Sequence, residues 1–156
     1  MEERIDAFPT ALKIRLAVAR DIEVIAQFDE FGGSRGDEAA AGVCIVGELR
    51  GAVVAYASYQ PRGLLGQPLL TFLCVKNEHR RQGIASALVQ AVQQVAVGRV
   101  LISSTEDWCT GTQRIFERLG WKQIGKISGV NKDASDELFY SVALNAVNSL
   151  STASCD

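Results

Sequence analysis

Residues 69–86 read LLTFLCVKNEHRRQGIAS. Leu69 to Val75 is an apolar run broken only by Thr71, the pattern of a strand buried on both faces. A short polar turn with Arg80 and Arg81 follows, and Gly83, Ile84 and Ala85 then open a segment of helical periodicity. Strand, basic turn, glycine and helix start together make an anion-binding device. The first N–H groups of a helix lack partners within it, and the macrodipole adds partial positive charge there. Glycine and the small Ala85 let an anion approach the backbone closely. The ligand class this predicts is a phosphate or pyrophosphate; the plain alternative is a basic turn that merely precedes a helix.

Periodicity supplies the rest of the order. Leu12, Ile14, Leu16 and Val18 alternate with Lys13, Arg15 and Ala17, which predicts a half-buried strand. Asp21 is the expected N-cap of a short helix carrying Ile22, Ile25 and Ala26. The stretch FGGSRGDEAAA (residues 31–41) shows no period and is read as irregular. Val43 to Leu49 and Ala52 to Tyr59 form an expected hairpin, and Gln60 to Pro68 a loop.

After the basic turn, Ile84, Leu88, Ala91, Val92 and Val95 predict one helix face, ended by Gly98. Val100 to Ser103 reads as a buried strand. Thr110 and Gln113 fit a capping box for a helix with Ile115, Phe116 and Leu119, stopped by Gly120. Trp121 to Ile127 and Leu138 to Leu144 are the last two expected strands. Residues 1–11 read as an irregular arm, 12–144 as one domain and 145–156 as a disordered tail.

The chain has 156 residues, 47% of them hydrophobic, and a formal net charge of -2, which fits one globular domain with a full core. With no Lys/Arg block, nonspecific nucleic-acid binding is not expected. Cys44, Cys74, Cys109 and Cys155 have no metal-ligand spacing and His79 is the only histidine, so no metal site is expected. The start MEERIDAFPT has no apolar signal core, and no segment approaches a membrane span. The expected setting is a reducing cytoplasm, without membrane partners.

The run Arg80-Arg81-Gln82-Gly83-Ile84-Ala85 resembles the acyl-CoA pyrophosphate loop of the GNAT N-acetyltransferase family: Gln or Arg, two residues, Gly, any residue, then Gly or Ala. It is neither a nucleotide P-loop nor a three-glycine dinucleotide fingerprint. The segment RIFERLGW (114–121) resembles the family's late helix, and the resemblance covers about residues 12–144. It implies an α/β (α+β) fold with a central mixed, mostly antiparallel sheet of six to seven strands, splayed in the middle, and three to four helices. It implies an acetyl-CoA cosubstrate and no metal. The acceptor would be a small-molecule or peptide amine, the region between the first two strands would shape its pocket, and exposed edge strands would permit a homodimer.

By that resemblance the pyrophosphate would sit on N–H groups from Gln82, Gly83, Ile84, Ala85 and Ser86, with Arg80 and Arg81 beside it. The pantetheine arm would lie between the Leu69–Val75 and Val100–Ser103 strands and pair with the backbone of Leu73 and Val75. Glu106 and Asp107 are the nearest carboxylates for accepting the amine's proton; their alternative is a solvated loop pair. The family's tyrosine proton donor falls at Phe116, which has no proton to give. Tyr140 and Cys109 are the substitute donors, against the plainer readings of an anchored strand tyrosine and a packed thiol. Trp108 and Trp121 are candidates for acceptor pocket or core, with core favoured for Trp121. A CoA-binding sensor without turnover is the alternative function.

Overall fold

The computed structural model describes residues 11–145. The expected arm and tail therefore lie, but for Ala11 and Asn145, outside the described residues, as does Cys155. Seven strands and four α-helices alternate as β1 (Leu12–Leu16), α1 (Asp21–Ala26), α2 (Arg35–Ala40), β2 (Cys44–Leu49), β3 (Ala52–Leu64), β4 (Gln67–Val75), α3 (Ile84–Val95), β5 (Val100–Glu106), α4 (Thr110–Arg118), β6 (Lys122–Ile127) and β7 (Glu137–Ala143). The strand order is β1-β2-β3-β4-β5-β7-β6. β4 and β5 pair in parallel at Leu69 with Ile102 and Leu70 with Ser103, whereas β1–β2, β2–β3, β5–β7 and β6–β7 are antiparallel. The sheet is thus the mixed, mostly antiparallel one expected.

The described residues pack as two compact units: 11–59 together with Phe72–Val92, and Gln60–Thr71 together with 93–145. The first unit is built around Ile25, Cys44, Val46, Val53, Tyr56 and Cys74, all buried, with Phe28 and Phe72 packed against them. In the second, Leu70, Leu101, Ile102, Phe116, Trp121 and Tyr140 are buried.

Local chemistry departs from the pattern reading in six places. The stretch read as irregular holds α2, started by the Ser34 hydroxyl, which accepts from the Asp37 N–H at 3.2 Å. The helix is too short for a hydrophobic period to register. Asp21 is not an N-cap but the first helical residue, with Arg20 before it; its carboxylate accepts from the Val18 N–H and pairs with Arg15. The strand β1 ends at Leu16, which is exposed, while Ala17 is buried.

The loop expected at Gln60–Pro68 is instead the end of a long hairpin, turned at Leu65 and Gly66, both with positive φ (51° and 76°). Gly63 permits the close strand approach, since a Cβ there would lie 2.4 Å from that of Leu69. In α3 the buried face is Ile84, Leu88, Val89 and Val92, while Val95 is exposed. Finally, Thr110 is not a cap. Cys109 precedes α4, and Gln113 Nε2 reaches back to the carbonyls of Glu106 (3.2 Å) and Asp107 (2.9 Å).

Candidate functional site

The end of β4 leads into the basic turn through a single 3₁₀ turn, Asn77–His79. The Lys76 N–H donates to the Val54 carbonyl at 2.9 Å, which fixes where the turn leaves the sheet. Arg81 (φ 63°) and Gly83 (φ 79°) both take the left-handed conformation. For Arg81 that conformation costs about 1 kcal/mol, strain of the kind found at ligand-binding turns.

The first bond of the α3 ladder runs from the Ala87 N–H to the Gly83 carbonyl at 3.1 Å. The N–H groups of Ile84, Ala85 and Ser86 therefore precede the ladder, at the positive end of a helix of 12 residues. Buried Ile84 anchors this end in the core, with a burial worth about 2 kcal/mol. Gln82 and Gly83 are exposed, so the turn ahead of α3 is open to solvent.

The two arginines do different work. Arg80 Nε donates to the Val75 carbonyl at 3.0 Å, and Arg80 Nη2 pairs with Glu30 Oε1 at 3.0 Å. Arg80 thus braces the turn, and Arg81 is exposed. Beside the brace lies an open cleft of about 450 Å³, lined by Gln27, Phe28, Glu30, Val75, Lys76 and Arg80 among others. Leu73 and Val75 lie further along β4, past its two positions paired with β5.

The second unit holds the other expected site residues. Glu106 ends β5 opposite Glu137 of β7, and is half-buried. Cys109 Sγ lies 3.3 Å from Thr112 Oγ1. Phe116 is 1% exposed and stacks on Trp121 at 4.7 Å between ring centroids, with Tyr140 at 5.2 Å. Trp121 is core, as its position implied, and its buried indole N–H has no partner among the described residues. Trp108 is 61% exposed and donates through Nε1 to Asp133 Oδ2 at 3.0 Å. The Tyr140 phenol is buried beside Phe116, and burial, helped by the charge of Glu117, pushes its pKa up. The first unit thus gathers the residues from Leu73 to Ser86, and the second gathers Glu106, Cys109, Phe116 and Tyr140.

Sequence reasoning missed the buried network around Arg35. Arg35 Nη1 donates to the Tyr56 hydroxyl (2.6 Å), Nη2 to the Gly32 carbonyl (2.8 Å) and to Glu38 Oε1 (2.9 Å). Tyr56 donates to Asp29 in turn, and Ser58 to Glu38 Oε2 at 2.6 Å. Burial, with the hydrogen bond to Asp29, drives the Tyr56 pKa far upward, so the phenol stays protonated. The only sequence signal was an arginine among glycines with Asp29 and Glu38 nearby. No periodicity links those residues to Tyr56.

The strand-turn-helix leaves the N–H groups of Ile84, Ala85 and Ser86 ahead of the α3 ladder, on a seven-stranded mixed sheet. The chain belongs to the GNAT acetyltransferase family: the family's profile, described as an acetyltransferase (GNAT) domain, matches residues 40–123. It is an N-acetyltransferase of that class. Among solved structures it is similar to a GNAT-family acetyltransferase from Bacillus cereus, with 18% identity and a TM-score of 0.78 over 86% of this chain and 98% of that one. It is also similar to a candidate acetyltransferase from Salmonella typhimurium with its cofactor acetyl-CoA (18% identity, TM-score 0.70, 94% and 99% covered). A third is the ribosomal-protein-alanine N-acetyltransferase of Brucella melitensis (21% identity, TM-score 0.69, 85% and 99% covered). At these identities the likeness is one of fold. No curated protein matches the sequence. No group of three or more metal-ligating side chains occurs among the described residues, and no described helix is long and apolar enough to cross a membrane.

Proposed function

We propose that the protein transfers an acetyl group from acetyl-CoA to a primary amine by direct attack, with residues 12–144 acting as one acetyltransferase domain in the cytoplasm. The observation that carries this reading is the row of N–H groups at Ile84, Ala85 and Ser86, presented by a left-handed Gly83 at the end of the basic turn that follows β4. Those groups and the α3 dipole suit the CoA pyrophosphate, with Gln82 and the Arg81 side chain beside it. Leu73 and Val75 supply backbone for the donor's amide arm, as an added strand would use them. The acceptor is a small-molecule or peptide amine.

Attack requires the neutral amine, so an alkylammonium with a pKa near about 10 must first lose a proton. Glu106, at the end of β5, is the carboxylate assigned to that step. Tyr140 is assigned to protonating the CoA thiolate, because Phe116 carries no hydroxyl and the Tyr140 phenol stays neutral. Cys109, which precedes α4, is assigned to the cofactor contacts.

The test has two stages. Acetyl-CoA should raise the melting temperature while ATP at equal concentration does not. Acetyl-CoA turnover over a panel of small amines and peptide N-termini should then yield acetylated product. Equal stabilisation by both ligands would overturn the cofactor assignment. Binding without turnover on any amine would favour the sensor reading that Phe116 suggests.

A further inference from the structure

Arg35 is buried, yet it lies in a six-residue helix on the surface segment that follows α1. Its guanidinium is met by two carboxylates, Glu38 (Nε to Oε2, 2.8 Å) and Asp29 (Nη1 to Oδ2, 3.8 Å). Its Cζ lies 4.2 Å from the centroid of the Phe72 ring, in cation–π contact. Phe31 adds a second aromatic contact to Phe72, with ring centroids 5.3 Å apart. Space for the arrangement comes from Gly33: a Cβ there would lie 2.5 Å from Arg35 Nη2 and 3.6 Å from the Phe72 ring.

A buried ion cluster of this kind adds little net stability, because desolvating the charges offsets their attraction. What it supplies is one defined geometry, since the Nη1 and Nη2 hydrogen bonds to Tyr56, Gly32 and Glu38 have fixed directions. The side chain it grips belongs to β4, one residue before Leu73. A strand that receives an extended ligand through its backbone binds best when that backbone is already held in place.

We propose that Arg35 is a positioning residue of the acyl-donor strand. Clamped by Glu38, Tyr56, Asp29 and the Gly32 carbonyl, it holds the Phe72 ring, and with it the Phe72–Leu73 backbone, where the donor's amide arm must pair. The same clamp ties segment 29–38 to β3 and β4, so that segment and the donor strand keep one geometry. This inference rests on the acetyl-CoA reading of β4.

The test measures acetyl-CoA affinity by calorimetry on the full chain, below the unfolding transition of every variant. Phe72→Leu and Arg35→Met should each weaken binding by about fivefold to tenfold, and Arg35→Lys should fall between them and the parent. Val46→Ala, a cavity in the same core but outside the network, should destabilise the fold and change affinity by less than about twofold. Amide exchange of residues 72–75 should quicken in the Phe72 and Arg35 variants and not in Val46→Ala. Should Arg35→Met fail to fold, Phe72→Leu decides. An affinity unchanged in Phe72→Leu, or lowered as much by Val46→Ala, overturns the positioning role alone. A parent protein that binds no acetyl-CoA overturns the donor-site reading, and this inference with it.

Discussion

Glu30 Oε1 lies 3.0 Å from Arg80 Nη2, so the first arginine of the loop motif is already paired with an acid from the segment after α1. Both side chains are about half exposed, 47% for Arg80 and 58% for Glu30, which limits the pair to less than about 1 kcal/mol. A bound pyrophosphate would compete with Glu30 for the same cation. We therefore predict that Glu30→Gln tightens acetyl-CoA binding by about twofold to fivefold at low salt, with the gain fading at about 0.5 M salt. Glu78→Gln removes a charge lining the same cleft and should have a smaller effect. Weaker binding by Glu30→Gln would show that the pair shapes the turn instead.

Gly83→Glu tests the loop directly. The φ of 79° is strained for any residue with a Cβ, and the added carboxylate would stand at the position proposed for the phosphates. Acetyl-CoA affinity should fall at least tenfold, about 1.4 kcal/mol, while the unliganded fold persists by circular dichroism. Unchanged affinity would remove this loop from the cofactor site.

Phe116→Tyr asks who protonates the thiolate. The ring is buried between Trp121 and Tyr140, so the new hydroxyl adds one oxygen to a tight aromatic cluster. If thiolate protonation limits the rate, this variant should turn over faster, most clearly at lower pH. If Tyr140 already serves, Phe116→Tyr should change little and Tyr140→Phe should lower kcat by at least about tenfold. Neither change in kcat would leave water as the acid.

Acid stability should depend on Asp21. The hydrogen bonds from the Arg15 guanidinium hold its carboxyl below the ordinary value, the Val18 N–H assists, and burial opposes. The unfolded chain, with an aspartate pKa near about 3.9, then binds its proton first as pH falls. The contribution is complete above that value and is lost as pH drops through the lower folded value. Urea midpoints from pH 6 to pH 2 should fall less steeply in Asp21→Asn, which at neutral pH should cost about 3 kcal/mol for breaking a largely buried pair. A parallel pH dependence in parent and variant would contradict this assignment.

Much of the architecture was legible because each signal is local. The apolar run before Arg80-Arg81-Gln82-Gly83 is a strand, the residues after Gly83 a helix, and Gly83 takes the left-handed backbone that glycine enters most easily. Short or crossing elements were less readable. The helix α2 is six residues long and shows no period, and Pro61, Gly63 and Pro68 read as loop although they sit in a strand pair. Gly63 is there for a contact with Leu69, six positions on, that no pattern announces.

The sequence by itself determined the family, the order of the major elements and the glycine turn that opens α3, because periodicity, turn residues and helix termini act over a few neighbouring positions. Tertiary structure alone decided the pairing of Arg80 with Glu30, the burial of Phe116 against Trp121 and Tyr140, and the network joining Arg35 to Tyr56 and Phe72. Arg35 and Phe72 stand far apart in the chain, and nothing in either neighbourhood specifies the other. Their meeting follows from packing the segment after α1 onto the sheet, where a buried charge must find partners.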